Sequence, residues 1–93
     1  LQEFGLKTAR KWQTQYKEFK RSLEFMPKRY PIVAHFRNER MEFRGAIIMK
    51  NFKIIYFYNE EKDILWLVDL WDLRQDPRKL NLRARRIERK DYH

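Results

Sequence analysis

"KNFKIIYFYNEEKDILWLVDLWDLRQDPRKL", residues 50–80, decides the fold. In its first apolar run Phe52, Ile54, Tyr56 and Tyr58 fall on one side and Lys53, Ile55 and Phe57 on the other, the period of two that a β-strand imposes. The charged stretch Asn59 to Asp63 reads as a turn. Ile64 to Asp72 follows as a strand that is apolar on both faces for most of its length, with Ile64, Trp66, Val68 and Leu70 opposite Leu65, Leu67 and Trp71. That pattern suits a strand covered on both sides or flanked by neighbours.

Working outward, the segment before this hairpin keeps the same period. From Met41, the side chains of Phe43, Gly45, Ile47 and Met49 share one face, and Arg44, Ala46 and Ile48 share the other. Lys50-Asn51 makes the turn between this strand and the next. Earlier still the period lengthens. Leu6, Ala9, Trp12, Tyr16, Phe19, Leu23 and Met26 recur at steps of three and four among Lys, Arg, Glu and Gln, which predicts one amphipathic helix over residues 6–26, stopped by Pro27. Residues 27–40, with two prolines and four Lys or Arg, read as a connection with a short extended piece at Ile32 to Phe36.

The expected architecture is therefore α+β: one amphipathic helix packed on an antiparallel meander of three or more strands. Beyond it, Asp76-Pro77 reads as an N-cap followed by Pro at the first helical position, announcing a short basic helix or turn. The chain begins with Leu and enters its helix almost at once, so a preceding strand and helix are expected to be missing, leaving the meander with an open edge.

Composition bounds the function. The 93 residues make one domain, and three Trp, five Tyr and seven Phe supply much of its apolar area, each ring burying roughly 150–250 Å². There is no cysteine, which excludes disulfides and thiolate metal sites and fits a reducing cytoplasm. No apolar run approaches the roughly 20 residues that span a bilayer. The chain carries 22 Lys and Arg against 13 Asp and Glu, a net charge of +9, which points to a polyanion or an acidic protein as partner. The densest positive segment is the tail from residue 74 onward, in which Arg74, Arg78, Lys79, Arg83, Arg85, Arg86, Arg89 and Lys90 face only Asp76 and Glu88 as far as residue 90.

Several enzyme classes fall away on residue inventory. Ser22 is the one serine and lies on the helix, so a Ser-His or Cys-His hydrolase lacks a nucleophile. Two glycines, Gly5 and Gly45, do not make a phosphate-cradling loop, and His35 and His93 have no partnered carboxylate pattern for a metal. No cofactor is implied. What remains is chemistry or binding by cations. Arg44 on the first strand, Lys53 on the second and Arg74 just past the third are expected to converge on one side of the sheet as a pocket for a phosphate or an acidic side chain. Trp71 beside them is a candidate for stacking on a base, and Asp69 and Asp72 are expected to pair with neighbouring arginines. Trp71, Asp72, Arg78, Lys79, Arg83, Arg85 and Arg86 form the expected docking surface.

Taken together, "NFKIIYFY", the acidic turn and "ILWLVDLWDLRQDPRKL" resemble the closing hairpin and tail of the RelE/ParE toxin superfamily. The resemblance rests on Arg44, Asn51-Phe52-Lys53, Tyr56, Arg74 and Asp76-Pro77 in order, and on the helix from Gly5 to Pro27, which looks like the family's second helix. It implies the toxin of a bacterial type II toxin–antitoxin pair, neutralised by an acidic protein antitoxin, with DNA gyrase or ribosome-bound mRNA as target and no metal. Carried over by position, Arg44, Lys53 and Arg74 take the places of the basic cluster with which the nuclease branch stabilises a phosphorane. Ala46 stands where a second basic residue is expected and Leu80 near the place of a late tyrosine. Those departures, and the Arg-Gln-Asp-Pro phrase, favour a ParE-like growth inhibitor. The alternatives are a RelE-like mRNA endonuclease and a non-toxic basic nucleic-acid-binding relic.

Overall fold

The structure, a computed structural model, describes residues 6–38 and 40–92. Helix α1 spans Leu6–Phe25, and strands β1, β2 and β3 span Arg44–Ile48, Phe52–Asn59 and Ile64–Asp72. Helix α2, Pro77–Glu88, completes a small α+β fold. The strands form one antiparallel sheet in the order β1-β2-β3. His93 and Gly5, both named above, lie outside the described residues.

The sheet carries two cores because alternate residues of β2 point to opposite sides. Ile54 and Tyr56 join Ala46 and Ile48 beneath Phe19 and Leu23 of α1. Ile55 and Phe57 join Phe43 and Trp71 beneath Leu80, Ala84 and Ile87 of α2. The tail segment thus builds a second helical layer rather than a short turn, and Leu80 is a core residue, only 3% exposed. Its start follows the expected logic: Asp76 caps the helix by accepting from the Arg78 N–H at 2.9 Å, and Pro77 occupies the first turn.

Two local irregularities correct the sequence-based expectations. The β1–β2 turn includes Lys50-Asn51 but begins one residue earlier, running over residues 49–51. Met49 and Lys50 both adopt left-handed backbone, with φ of 55° and 64°. Neither residue favours that region, so the surroundings must hold it. Gln15 of α1 accepts from the Met49 N–H at 2.9 Å, and the Asn51 carbonyl accepts from Leu73 N–H at 2.7 Å.

The second correction concerns β3. Ile55 pairs with Asp69 while Tyr56 pairs with Leu67, so Val68 is an extra residue, a β-bulge. The bulge exchanges the faces of all that follows. Leu70 pairs with Ile54 on the α1 side along with Leu65 and Leu67, and Trp71 pairs with Lys53 on the α2 side along with Trp66. This is why the strand reads as apolar on both faces. Among the described residues it is not flanked by two neighbours: it is an edge strand, with Ile64, Trp66, Leu67 and Leu70 each 41–44% exposed. The opposite edge is covered, because segment 31–33 bonds to β1 through Val33 N–H to the Phe43 carbonyl at 2.8 Å and Gly45 N–H to the Pro31 carbonyl at 3.2 Å.

Candidate functional site

Residues facing each other across an antiparallel pair share a side of the sheet. Arg44 faces Tyr56, and Lys53 faces Ile47. Arg44 and Ile47 are three positions apart on one strand, so Arg44 and Lys53 lie on opposite faces, Arg44 under α1 and Lys53 under α2. Arg44 donates to the Tyr30 carbonyl at 2.8 Å and to Glu42 Oε2 at 3.0 Å, with its side chain 16% exposed. Its work is to tie the 27–43 connection to the sheet. Arg74 sits over the ring of Phe52, 5.7 Å from its centre, and grips Asp72 with two bonds of 2.9 Å. The expected convergence of Arg44, Lys53 and Arg74 is therefore not what the fold builds: strand alternation puts Lys53 on the other face, and Arg74 lies at the Phe52 end of β2, four residues from Tyr56, which faces Arg44.

Trp71 is also relocated. It is fully buried, its indole N–H donates to Asp69 Oδ2 at 2.8 Å, and it cannot stack on an external base. It is a core residue in place of the docking residue expected of it. Asp69 holds a hub, also accepting from Arg83 Nε and Nη2, so Arg83 is drawn down onto β3. Asp72 and Asp76 pair with Arg74 and Arg78, and these guanidinium contacts hold both carboxyls below the usual range. Arg85 is likewise engaged, with Glu88 Oε2 at 2.7 Å and with the His35 carbonyl. Lys79 and Arg86 are exposed on α2, and neither joins an ion pair among the described residues.

Two arrangements emerge that sequence spacing did not offer. The first lies along β3. On its α1 side a cleft of about 340 Å³ is lined by Ala9, Trp12, Phe52 and Leu70. On its α2 side a smaller cleft of about 210 Å³ is lined by Val68, Asp69, Arg83, Arg86, Lys90 and Tyr92. The open strand edge thus has an apolar flank and a cationic flank.

The second is on the α2 face around Trp71, against which the His35 ring packs and which Lys53 faces across the β2–β3 pair, while Arg85 donates to the His35 carbonyl. The His35 ring stands edge-on to Trp71, centroids 5.2 Å apart at 82°. Burial, then the charge of Lys53, then that of Arg85, lower its pKa from the ordinary value and favour the neutral imidazole at pH 7. Lys53 reaches this spot across Gly45: a Cβ there would lie 2.7 Å from Lys53 Cδ and 2.8 Å from Val33 Cγ2. Sequence reading placed His35 in the short extended piece of the connection as a histidine without a partner, and nothing in spacing signals that it shares Trp71 with Lys53. The pairing of segment 31–33 onto β1 creates it.

Among the described residues no helix is long and apolar enough to cross a membrane, and no group of three or more His, Asp or Glu is placed to hold a metal ion. Compared with known proteins, the chain matches no family model, no curated protein and no solved structure.

Proposed function

We propose that this chain is the toxin of a bacterial type II toxin–antitoxin pair, a cytoplasmic ParE-like growth inhibitor neutralised by an acidic protein antitoxin. The observation that carries this reading is the open edge of β3. A nine-residue edge strand with four large apolar side chains 41–44% exposed is a surface that isolated soluble domains ordinarily blunt or cover. Beside it Arg86 and Lys90 line a cleft without an acidic partner among the described residues. A chain of net charge +9 with such an edge suits a lasting complex with an acidic protein. The α+β architecture and the capped Asp76-Pro77 start of α2 are compatible with the RelE/ParE resemblance in general terms.

Inhibition by binding is favoured over RNA cleavage. A RelE-like endonuclease needs its cations around one phosphate, and Arg44, Lys53 and Arg74 do not share one face. The test is induced expression with and without a small acidic protein encoded beside the gene. Growth arrest relieved by that protein, with loss of gyrase supercoiling activity in extracts, is the expected result. Normal growth would leave the non-toxic relic, and cleavage of ribosome-bound mRNA with gyrase unaffected would replace the inhibitor by the endonuclease.

A further inference from the structure

On the α2 face, away from the open edge, three chain segments bring cationic and imidazole groups together without a carboxylate to balance them all. His35 comes from the loop, Lys53 from β2 and Arg85 from α2. Their acidic neighbours are already committed. Glu88 accepts from Arg85 and from the backbone N–H groups of Arg37 and Asn38. Asp69, beneath Trp71, is occupied by the indole and by Arg83. Lys53 forms no ion pair among the described residues. Lys53 and His35 flank the same buried Trp71, and an ammonium without a carboxylate partner on the same face as an imidazole is a place where an anion gains charge and hydrogen bonds together.

We propose that His35 and Lys53 form a binding site for a phosphate-ester oxygen, with Lys53 supplying the charge and His35 a ring N–H donor. Gly45 is part of this site. By lacking a side chain it leaves room for the Lys53 stem to lie across the sheet. Trp71 fixes the other half, since the imidazole stands edge-on against a buried ring. The site extends beyond the toxin reading and does not depend on it, because it concerns a ligand at a different surface and is measured without cells.

The site has a built-in proton linkage. Empty, His35 is held toward its neutral form by burial, by Lys53 and by Arg85, whose own charge is offset by Glu88. A bound anion opposes the two cations and restores the ring's affinity for a proton. Binding therefore takes up a proton, and affinity rises as pH falls through the histidine range. A phosphodiester does not titrate there, so with a diester ligand the linkage reports His35 alone.

The experiment follows the imidazole resonances of the whole chain by NMR while two probes are titrated separately: a short single-stranded oligoribonucleotide with hydroxyl ends, and uridine monophosphate. His93→Gln identifies the His35 signal. The expected result is that one probe shifts His35 and raises its apparent pKa. Response to the oligonucleotide assigns a nucleic-acid backbone, and response to the nucleotide alone assigns a free phosphomonoester. Lys53→Met, which keeps the stem over Gly45, should weaken binding about tenfold, and for the oligonucleotide should lower the salt slope by about 0.7. His35→Gln should keep part of the binding and lose its pH dependence. Lys53→Arg restores the charge and should recover most of the affinity, which guards against misfolding of the Met variant. If neither probe moves His35, or if a folded Lys53→Met chain binds as well as the parent, the site is overturned. Growth inhibition plays no part in these readouts, so failure here and failure of the toxin reading are separable.

Discussion

Strands β2 and β3 lie side by side and are both rich in apolar residues, yet they meet solvent differently. Ile54, Ile55, Tyr56 and Phe57 in β2 are each at most 4% exposed. On β3, Ile64, Trp66, Leu67 and Leu70 are each more than two-fifths exposed, and Trp71 alone is fully buried. Hydrophobicity makes a residue suitable for burial; position in the sheet decides whether burial happens. A central strand has a neighbour on each side and a helix over each face. The edge strand has one neighbour, and the helices reach it only in part.

The two tryptophans of β3 test this contrast most strongly. Trp71→Ala removes a fully buried ring that also hydrogen-bonds Asp69, and should cost about 3–5 kcal/mol in chemical denaturation. Trp66→Ala, on the same strand, leaves 44% less to lose from the outset and should cost roughly half as much or less. Equal losses would mean that the edge is covered in solution. Next in size, Ile55→Ala in the centre should cost about 2–5 kcal/mol, whereas Leu67→Ala at the edge should stay under about 1.5 kcal/mol.

Deleting Val68 is subtler. Because this residue is the extra one in the register, its removal keeps Leu67, Asp69, Leu70 and Trp71 on their present faces and leaves a regular ladder. The variant should fold, losing about 1 kcal/mol from the half-buried valine that packs on the α2 core. An unfolded product would show that the bulge itself is required. The smallest expected effect is that of pH. The pKa of folded His35 lies below its unfolded value, so the unfolded chain binds more protons, and stability declines on acidification from about pH 6.5 until the folded ring titrates. His35→Gln should flatten that part of the profile; an unchanged slope would assign it elsewhere.

Tyr56 illustrates how the centre of the sheet is made specific as well as apolar. Its ring packs against Phe19 and Tyr30, and its hydroxyl donates to the Pro27 carbonyl at 2.7 Å, which pins the end of α1 to the sheet. Burial pushes the phenol pKa up from its ordinary value, so the hydroxyl keeps the proton it donates. Every buried side-chain polar atom among the described residues has a partner, including Asn59, which bonds Tyr92 and Lys62.

The local patterns carried much of this molecule. A period of three to four from Leu6 set α1, a period of two set β1 and β2 with the faces they display, and Asp76-Pro77 set the start of α2, because each is a property of neighbouring side chains on a regular backbone. What needed the folded chain was everything fixed by contact between distant segments. The bulge at Val68 depends on its partner strand, the second helical layer on where the tail returns, and the scattering of Arg44, Lys53 and Arg74 on register. The meeting of His35 with Lys53 belongs to the same class. It exists because segment 31–33 bonds along β1 and α2 closes over it, a coincidence in space that has no counterpart in spacing along the chain.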